Sequence, residues 1–400
     1  MDEDDFTVNG MKVLHVIPSL SPAHGGPSVV LPVMAAALAA EGVVVDVATT
    51  TDDGPGRCLD AACGSFAQRG GFRVILFPKQ TEFYKVSLPL LAWLLRHVTD
   101  YDVVHVHAVF SFSTWAAGAA CRLRGVPYVV RPLGVLNSWG MENRRRWLKA
   151  WSFRLADKPV LDRAAAMHYT SGQEAEDAER LGIRSRSVVI PLGMDLPPQD
   201  ASADAAALAR RFPEAASRPL VLFLSRLDPK KNVEVLLQAM ARLRALPSAP
   251  LLVIAGDGDP GYVAGLKRLA SGLGLEGNVL WTGHLGGEDK RAAFAAASLF
   301  VLPSRSENFG VALLEAMAAG LACISTPGVA LAVDAAKLGA VRLCEPEAGA
   351  LAEAIQTLLG SDGERERLGA CAAETARRNY SMDGMARSLK ALYQSITATR

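Results

Sequence analysis

Apolar, β-branched runs alternate with stretches of helical periodicity along the first half of the chain. The strand-like runs are Lys12–Ile17, Val43–Thr49, Val103–Val106, Tyr128–Val130 and Met167–Tyr169. Segments such as Val29–Ala40 and Trp115–Arg124 lie between them and have the composition of helices. This order of elements predicts a parallel sheet with helices on both faces.

The alternation stops once and then begins again. Residues 196–205 (LPPQDASADA) have no apolar periodicity and predict a linker. A second series has strand-like runs at Leu220–Ser225, Leu251–Ala255, Val279–Thr282, Leu299–Leu302 and Ala322–Ser325. We therefore expect two Rossmann-like, doubly wound α/β domains, residues 1–197 and 198–381, facing each other across a deep cleft. Residues 382–400 would form a final helix that returns toward the first domain.

Composition narrows the class of protein. Half of the 400 residues are hydrophobic and 21% are charged, which is ordinary for a globular protein and excludes a disordered chain. The net charge of +1 predicts no nucleic-acid partner, so any recognition of anions must be local. The six cysteines are scattered without zinc-site spacing, which predicts a reducing compartment and no metal. No run of 18 apolar residues occurs and the start, Met1–Asp5, is acidic, so we expect a cytoplasmic protein without a membrane span.

The strongest chemical signal is the segment 304–320, SRSENFGVALLEAMAAG. A buried strand leads through a polar loop with Glu307 to Gly310, and a helix that carries Glu315 follows. Free N–H groups and the positive dipole end of this helix, around Phe309–Val311, suit a phosphate. Two carboxylates beside such a helix start suit hydroxyl-rich groups on either side of that phosphate. An acidic residue near the start of a helix can simply complement the helix dipole. That explanation would account for Glu307 but not for Glu315.

Two further loops follow predicted strands. SRLDPKKN at 225–232 places Arg226 and Lys231 where they could neutralise a diphosphate, although a solvated helix start is an alternative. Gly25 and Gly26, in the HGGP loop, would allow the backbone to approach an anion closely. Neither loop has the G-x-G-x-x-G spacing of a dinucleotide site.

Two other motifs have ordinary structural explanations. Gly256–Asp259 (GDGD) contains a D-x-D that elsewhere holds a metal, but the following Pro-Gly favours a turn rather than the start of a helix. His105 and His107 lie on one face of a strand, and we expect His107, nearer the carboxyl end, to point toward the cleft. A structural role is the more common one for such a histidine.

Taken together, these motifs resemble the retaining glycosyltransferases of the GT-B fold, specifically glycosyltransferase family four. The most specific element is E-x(7)-E from Glu307 to Glu315; SRLDPKKN, VIAGDG, WTGHL and PLGMD also occur in the family's order. The chain departs from the family pattern at Ser225, at Asn308 and after Thr326-Pro327-Gly328, where no acid follows.

The resemblance implies a role for each matching residue. Glu307 would hold the donor sugar, Glu315 the ribose, and Arg226 with Lys231 the diphosphate. Backbone amides around Asn308, Phe309, Gly310 and Val311, and the Gly25-Gly26 loop, would assist. The base would lie near Gly283 and His284, and His107 would lie beside the sugar as a catalytic residue. The donor, a nucleotide-diphosphate sugar, is a substrate, so the resemblance implies no cofactor.

A basic segment at 121–163 carries ten basic and three acidic residues. Within it Arg144, Arg145, Arg146, Trp147 and Trp151 suit an anionic membrane surface or a lipid-linked acceptor, or a helix packed within the first domain. Arg131 could contact an acceptor anion instead. We expect a retaining, metal-independent hexosyltransferase acting on a saccharide or lipid-linked acceptor in polysaccharide or glycolipid biosynthesis. The alternatives are a nucleotide-sugar epimerase or hydrolase of the same fold, and a non-catalytic nucleotide-sugar binding protein.

Overall fold

A computed structural model describes residues 10–24, 26–136, 153–194 and 218–398. The chain forms two compact units. Unit 1 comprises residues 1–193 together with 382–400, and unit 2 comprises residues 194–381. The C-terminal segment from Met382 thus belongs to the same unit as the N-terminal half. The predicted linker at 196–205 lies outside the described residues.

Unit 1 is built on one sheet of eight strands, in the order β3-β4-β2-β1-β5-β6-β7-β8. The strands are β1 Lys12–Ser19, β2 Val44–Thr50, β3 Phe66–Arg69, β4 Phe72–Phe77, β5 Val103–His107, β6 Tyr128–Arg131, β7 Ala166–Tyr169 and β8 Ser187–Val189. All neighbours pair in parallel except β3, which is antiparallel to β4. The strand order reverses at β1, which lies between β2 and β5.

The helices of unit 1 connect these strands and cover the sheet. They are α1 Gly26–Ala40, α2 Leu88–His97, α3 Phe112–Arg124, α4 Lys158–Leu161, α5 Gly172–Arg180 and α13 Met382–Thr397. Ser111 caps α3 by accepting a hydrogen bond from the Thr114 N–H, which explains why the helix begins three residues before the predicted Trp115. Helix α13 packs against α1 and buries Leu389 and Tyr393.

Unit 2 is built on a six-stranded parallel sheet in the order β11-β10-β9-β12-β13-β14. Its strands are β9 Leu220–Leu224, β10 Leu251–Ala255, β11 Val279–Gly283, β12 Leu299–Leu302, β13 Ala322–Ser325 and β14 Arg342–Leu343. Its helices are α6 Val233–Leu243, α7 Pro260–Gly272, α8 Gly287–Ala296, α9 Val311–Ala318, α10 Ala330–Lys337, α11 Ala348–Leu359 and α12 Asp362–Asn379. The five predicted strands of this half are present, and their mostly buried apolar runs form the middle of the unit.

The structure corrects one prediction about the Gly256–Asp259 loop. A helix, α7, does begin directly after it, at Pro260. Asp259 caps the helix by accepting a hydrogen bond from the Tyr262 N–H at 3.0 Å, and proline is well suited to the first helical position. The same Pro-Gly pair that indicated a turn therefore starts a helix.

Every helix within the described ranges is too short or too polar to cross a bilayer.

Candidate functional site

Unit 2 has a cavity of about 570 Å³ at the carboxyl ends of β9, β10 and β11. Its walls include Arg226, Asp257 and His284 from the loops after these strands, and Lys290 from α8. In open parallel sheets this edge is where ligands bind. Two of the predicted donor-site residues, Arg226 and His284, therefore line one cavity.

Glycines allow two of these loops to lie directly against each other. A Cβ at Gly256 would collide with the Ser225 carbonyl oxygen, and one at Gly258 with the Leu227 carbonyl oxygen. The Leu227 N–H donates to the Asp257 carbonyl at 2.8 Å and ties the loops together. The position of Arg226 at the cavity wall thus depends on the absence of side chains on the neighbouring loop.

Glu315, on α9, is paired with a lysine that sequence reasoning did not single out. Lys290 Nζ donates to Glu315 Oε1 at 2.6 Å, and both side chains are partly exposed. Lys290 also lines the cavity. Through Lys290 the pair reaches the cavity wall, where a bound group could exchange partners with the ammonium.

Glu307 forms an ion pair with Lys231, whose side chain is largely buried. Burial lowers the pKa of Lys231, and the Glu307 carboxylate counteracts part of that effect. Two of the predicted site residues are thus in direct contact. Arg226 also adds positive charge near Lys231.

The backbone of Glu307 is held by the loop after β13. The Glu307 N–H donates to the Gly328 carbonyl at 2.8 Å, and the Ala330 N–H donates to the Glu307 carbonyl at 3.3 Å. A Cβ at Gly328 would collide with the Ser304 carbonyl oxygen. The segment Thr326-Pro327-Gly328, which departs from the family pattern, therefore fixes the position of Glu307.

The start of α9 has the form that the sequence predicts. Gly310 is the N-cap with φ 101°, a left-handed conformation that favours glycine, and no side chain caps the helix there. Phe309 is buried against Tyr380, with ring centroids 5.9 Å apart, and Val311 begins the helix. Asn308 precedes them in the loop. The first N–H groups of a helix have no partner within it, so this end of α9 can donate to an anion.

In unit 1, His107 belongs to a buried cluster with His15, His105 and His168. The His107 side chain is fully buried, and its Nε2 lies 2.9 Å from His15 Nδ1. Burial lowers the pKa of His107 well below its ordinary value, and neighbouring positive charge acts in the same direction. Among the described residues, His107 Nδ1 and His15 Nε2 have no hydrogen-bond partner. The catalytic role of His107 stays a prediction.

The other two histidines form a directed chain of hydrogen bonds. His168 Nε2 donates to the Ile190 carbonyl at 2.9 Å, because a carbonyl only accepts. Neutral His168 then accepts from His105 Nε2 at 3.3 Å, and His105 Nδ1 accepts from the Tyr393 hydroxyl at 2.7 Å. Burial lowers the pKa of His168 to about 3, which keeps its ring neutral at physiological pH. The chain links the sheet to α13.

Three nitrogen atoms of this cluster could in principle approach one ion. The ligand atoms of His15, His105 and His107 all lie within 4.8 Å of one another. Burial lowers the pKa of His15 to about 3, and the positive charge of Arg131 acts in the same direction. A bound cation would lie near the positive charge of that guanidinium. This environment disfavours a cation.

Arg131, at the end of β6, is 3% exposed. Burial lowers its pKa to about 10, and the Glu174 carboxylate partly offsets this. Glu174 is itself buried and accepts hydrogen bonds from the N–H groups of Gly134, at 2.7 Å, and Thr170, at 2.8 Å. Arg131 thus lies inside unit 1, with the buried Glu174 carboxylate as its charge partner. A contact with an acceptor anion stays a prediction.

The remaining predicted residues lie elsewhere. Gly26 begins α1 in unit 1, and Gly283 ends β11, where its carbonyl accepts from the Gly256 N–H at 2.8 Å. Gly25 and the basic residues and tryptophans of the predicted surface segment lie outside the described residues: Arg144, Arg145, Arg146, Trp147 and Trp151. Their roles stay predictions.

Sequence reasoning missed Lys290, Asp52 and Tyr393. Lys290 lies in GGEDKR, an ordinary solvated helix start, and its partner is 25 residues away along the chain. Asp52 follows β2 and is buried. Tyr393 lies in the amphipathic final helix. The apolar spacing of that helix indicates a buried tyrosine but not its histidine partner.

Comparisons with known proteins agree with this arrangement. Residues 206–375 match the family model described as glycosyl transferases group 1, and residues 25–193 match that of a glycosyl transferase 4-like domain. A phosphatidyl-myo-inositol mannosyltransferase from Mycobacterium leprae is 30% identical over 75% of each chain. A D-inositol 3-phosphate glycosyltransferase from Xylanimonas cellulosilytica is 33% identical over 62% of this chain and 60% of its own length.

Solved structures give the same fold. A sucrose-phosphate synthase from Thermosynechococcus elongatus has a TM-score of 0.74 at 23% identity, covering 98% of this chain and all of its own. Anabaena HepE in complex with UDP has a TM-score of 0.77 at 20% identity, covering 96% of this chain and all of its own. The chain therefore belongs to the group 1 glycosyltransferases, of the family-four type with the GT-B fold.

Proposed function

We propose that the protein is a retaining, metal-independent hexosyltransferase that uses a UDP- or GDP-sugar as donor. The acceptor is a saccharide or a lipid-linked saccharide, in polysaccharide or glycolipid biosynthesis. The observation that carries the proposal is the unit 2 cavity, where Arg226, Lys290 and its partner Glu315 converge at the carboxyl edge of the sheet.

The proposed chemistry follows from the charge that has to be stabilised. Transfer of a sugar from a nucleotide diphosphate leaves negative charge on the departing phosphates, and positioned cations and N–H groups reduce that cost. Arg226 at the cavity wall and the uncapped start of α9 supply such groups. Lys231, which is paired with Glu307 and lies near the positive charge of Arg226, supplies another.

Glu307 acts in this proposal as a sugar-binding carboxylate. Its pairing with Lys231 orients the carboxylate, and the Gly328 loop fixes its backbone. We do not assign it as a covalent nucleophile, because an ammonium already holds its oxygen atom. In retaining enzymes of this fold the leaving phosphate is usually proposed to take the proton of the acceptor hydroxyl, and we adopt that route here. Holding the acceptor against the anomeric carbon supplies much of the remaining rate.

Three cationic side chains favour a reaction that needs no metal. Arg226, Lys231 and Lys290 belong to the same region of unit 2. The alternative metal ligands in Gly256–Asp259 are less well suited, because Asp259 is engaged as the cap of α7. The test is direct: chelator should leave transfer unchanged, and loss of activity restored by a divalent metal would contradict this part of the proposal.

The central experiment is a donor screen. Thermal shifts with UDP, GDP and ADP and their sugars should identify one base, and radiolabelled transfer from that donor should follow. Arg226→Ala should weaken both binding and transfer, whereas Glu353→Ala, an exposed carboxylate on α11, should change neither. Release of sugar without an acceptor would favour the hydrolase or epimerase alternative, and binding without turnover would favour a non-catalytic binding protein. No shift with any nucleotide would contradict the proposal.

We also propose a location at the cytoplasmic face of the plasma membrane. The support is the excess of basic residues at 121–163, with Trp147 and Trp151 among them. Flotation with anionic liposomes should recover the parent chain, and Arg144–Arg146→Ala should reduce that recovery several-fold. Equal recovery of both would contradict membrane attachment through this segment.

A further inference from the structure

Unit 1 has a cavity of about 150 Å³ at the carboxyl ends of its strands. The residues that line it include Ser19 at the end of β1, Asp52 after β2, Ala108 after β5 and Leu133 after β6, together with His24. The strand order reverses at β1, and ligands in open parallel sheets bind at such a reversal. The cavity therefore lies at the place where a unit of this fold takes a ligand.

The backbone at this cavity is held in an unfavourable conformation at two positions. Ala108 has φ 87° and Leu133 has φ 60°, a region that residues other than glycine rarely adopt. The Ala108 N–H donates to the Arg131 carbonyl at 2.9 Å, and Thr114 Oγ1 donates to the Ala108 carbonyl at 3.0 Å. Such strain persists where the surroundings impose it, and it occurs preferentially at ligand sites.

Asp52 is the charged centre of the cavity wall. Its carboxylate accepts from Lys79 Nζ at 2.9 Å and Lys85 Nζ at 2.8 Å on one oxygen, and His24 Nε2 lies 2.9 Å from the other. The side chains of Asp52 and Lys79 are 2% and 3% exposed. Burial alone would raise the pKa of Asp52, but the hydrogen bonds from Lys85 and Lys79 outweigh it and lower the pKa. The carboxylate is therefore ionised at neutral pH.

Both lysines are already engaged. Lys79 contacts Glu82 Oε1 at 2.6 Å in addition to Asp52, and Lys85 lies 3.5 Å from Glu82 Oε2. Among the described residues that line the cavity, the ionisable ones are Asp52 and His24. Lys79 and Lys85 balance the charges of Asp52 and Glu82, so a phosphate here would find no uncompensated ammonium among these groups, and the start of α1 would supply only about half a positive charge. A hydroxyl group, in contrast, can donate to the carboxylate oxygens of Asp52, and His24 lies beside them with its Nε2 2.9 Å from Asp52 Oδ2.

We propose that this cavity binds an uncharged, hydroxylated end of the acceptor, which His24 and Asp52 recognise through its hydroxyl groups, and that it rejects a phosphorylated one. The inference rests on the proposed function, since it names the acceptor class of that transferase. The two relatives reported above carry inositol phosphate or phosphatidylinositol in their names. The acceptor proposed for this chain differs from the compounds in those names in that the end bound by this cavity carries no phosphate.

Matched acceptor pairs test the proposal with the full chain and the donor found in the screen. Each pair is one ring with and without a phosphate, such as myo-inositol with inositol 3-phosphate and glucose with glucose 6-phosphate. The uncharged member should have at least a tenfold higher kcat/KM. Asp52→Asn, of the same shape, should shift that ratio at least tenfold toward the phosphorylated member, and the exposed Asp60→Asn in the same loop should not. A preference of the parent for the phosphorylated member, or an unchanged ratio in folded Asp52→Asn, would overturn the inference.

A second variant and a binding assay cover the other outcomes. His24→Gln should raise the acceptor KM at least tenfold and leave donor binding unchanged; an unchanged KM would overturn the role of His24.

If the enzyme uses no acceptor of the panel, the thermal shift with inorganic phosphate tests the proposal instead. It is measured in an Arg226→Ala background, which weakens phosphate binding in unit 2. Phosphate should stabilise the chain with Asp52→Asn and not the one that keeps Asp52, and equal shifts would overturn the inference. Loss of all nucleotide binding, in contrast, would contradict the proposed function itself.

Discussion

The four histidines in the sheet of unit 1 and the two lysine–glutamate pairs of unit 2 are titratable groups in different surroundings. In unit 2, Lys231–Glu307 and Lys290–Glu315 are ion pairs beside an open cavity, and the side chains of the second pair are partly exposed. In unit 1, four histidines are fully buried, and burial holds the pKa of each below its ordinary value. The lysine–glutamate pairs of unit 2 can thus exchange partners with a ligand. The four histidines of unit 1 are neutral, buried rings.

The difference teaches what burial does to a titratable group. A partly exposed pair keeps its charge at little cost and can give up its partner to a ligand. A fully buried ring remains neutral, because desolvation disfavours the charged form. The histidines of unit 1 therefore position backbone and helix, whereas the charged residues of unit 2 are available to bind an anion.

The largest expected consequence is an acid sensitivity confined to unit 1. A histidine with a depressed folded pKa binds a proton in the unfolded chain first, so stability falls as the pH drops below the unfolded value of about 6.5. Each such histidine costs about 1.4 kcal/mol per pH unit, so the four together cost up to about 5 kcal/mol per pH unit. Burial raises the pKa of Glu174, so this group binds a proton in the folded chain first and opposes part of the loss of stability. Unit 2 contains one histidine, His284.

Calorimetry between pH 7 and pH 5 measures this prediction. The unit 1 transition should move to lower temperature much faster than the unit 2 transition, which bound nucleotide identifies by stabilising it. His15→Gln should flatten the pH dependence of unit 1 by about a quarter, since it removes one of four titrating groups. His97→Gln, a half-exposed histidine paired with Asp100, should not. Parallel shifts of both transitions would remove the distinction between the units.

The second prediction concerns the ion pair in unit 2. Glu307→Ala should reduce transfer by about 100-fold to 1,000-fold, the cost typical of losing one preorganised electrostatic contact at a reacting centre. Nucleotide affinity should remain within a few-fold of the parent, because Arg226 and the start of α9 are unchanged. Glu353→Ala is the control. Transfer at the parent rate in Glu307→Ala would mean that the pair is structural, like the histidines of unit 1.

The sequence singles out the charged candidate residues of unit 2, but it does not show which residues of unit 1 contact one another. E-x(7)-E and SRLDPKKN are local signals, so spacing alone identified Glu307, Glu315, Arg226 and Lys231 as candidates. The contacts in unit 1 join His105 to Tyr393 and Asp52 to Lys85, over 288 and 33 residues. The pattern of apolar and polar residues along the chain does not show which distant residues form such pairs. The edge strand β3 was also missed, because its four residues are all exposed and have no apolar alternation.

The third prediction uses glycines to separate the units. Gly256→Ala should destabilise unit 2 by about 3 kcal/mol, because φ is 147° and the new Cβ would collide with the Ser225 carbonyl. Gly26→Ala is the matched control in unit 1, since a Cβ there meets nothing within 4 Å. Its stability should change by less than about 1 kcal/mol. Chemical denaturation measures both, and equal losses would show that the close approach of the loops is not what requires Gly256.

The smallest expected effect isolates the hydrogen-bond chain from packing. Tyr393→Phe keeps the ring against His105 but removes the hydroxyl that donates to His105 Nδ1 at 2.7 Å. Leaving a buried acceptor unsatisfied costs about 1–3 kcal/mol, so unit 1 should lose that much stability. In unit 2, Tyr380 packs on Phe309, and its hydroxyl makes no hydrogen bond to another described residue, so Tyr380→Phe should change stability by a few tenths of a kcal/mol. Urea denaturation of the two variants gives the comparison. If Tyr393→Phe were as neutral as Tyr380→Phe, apolar packing alone would hold α13 to unit 1, and the histidines would not act as a positioning chain.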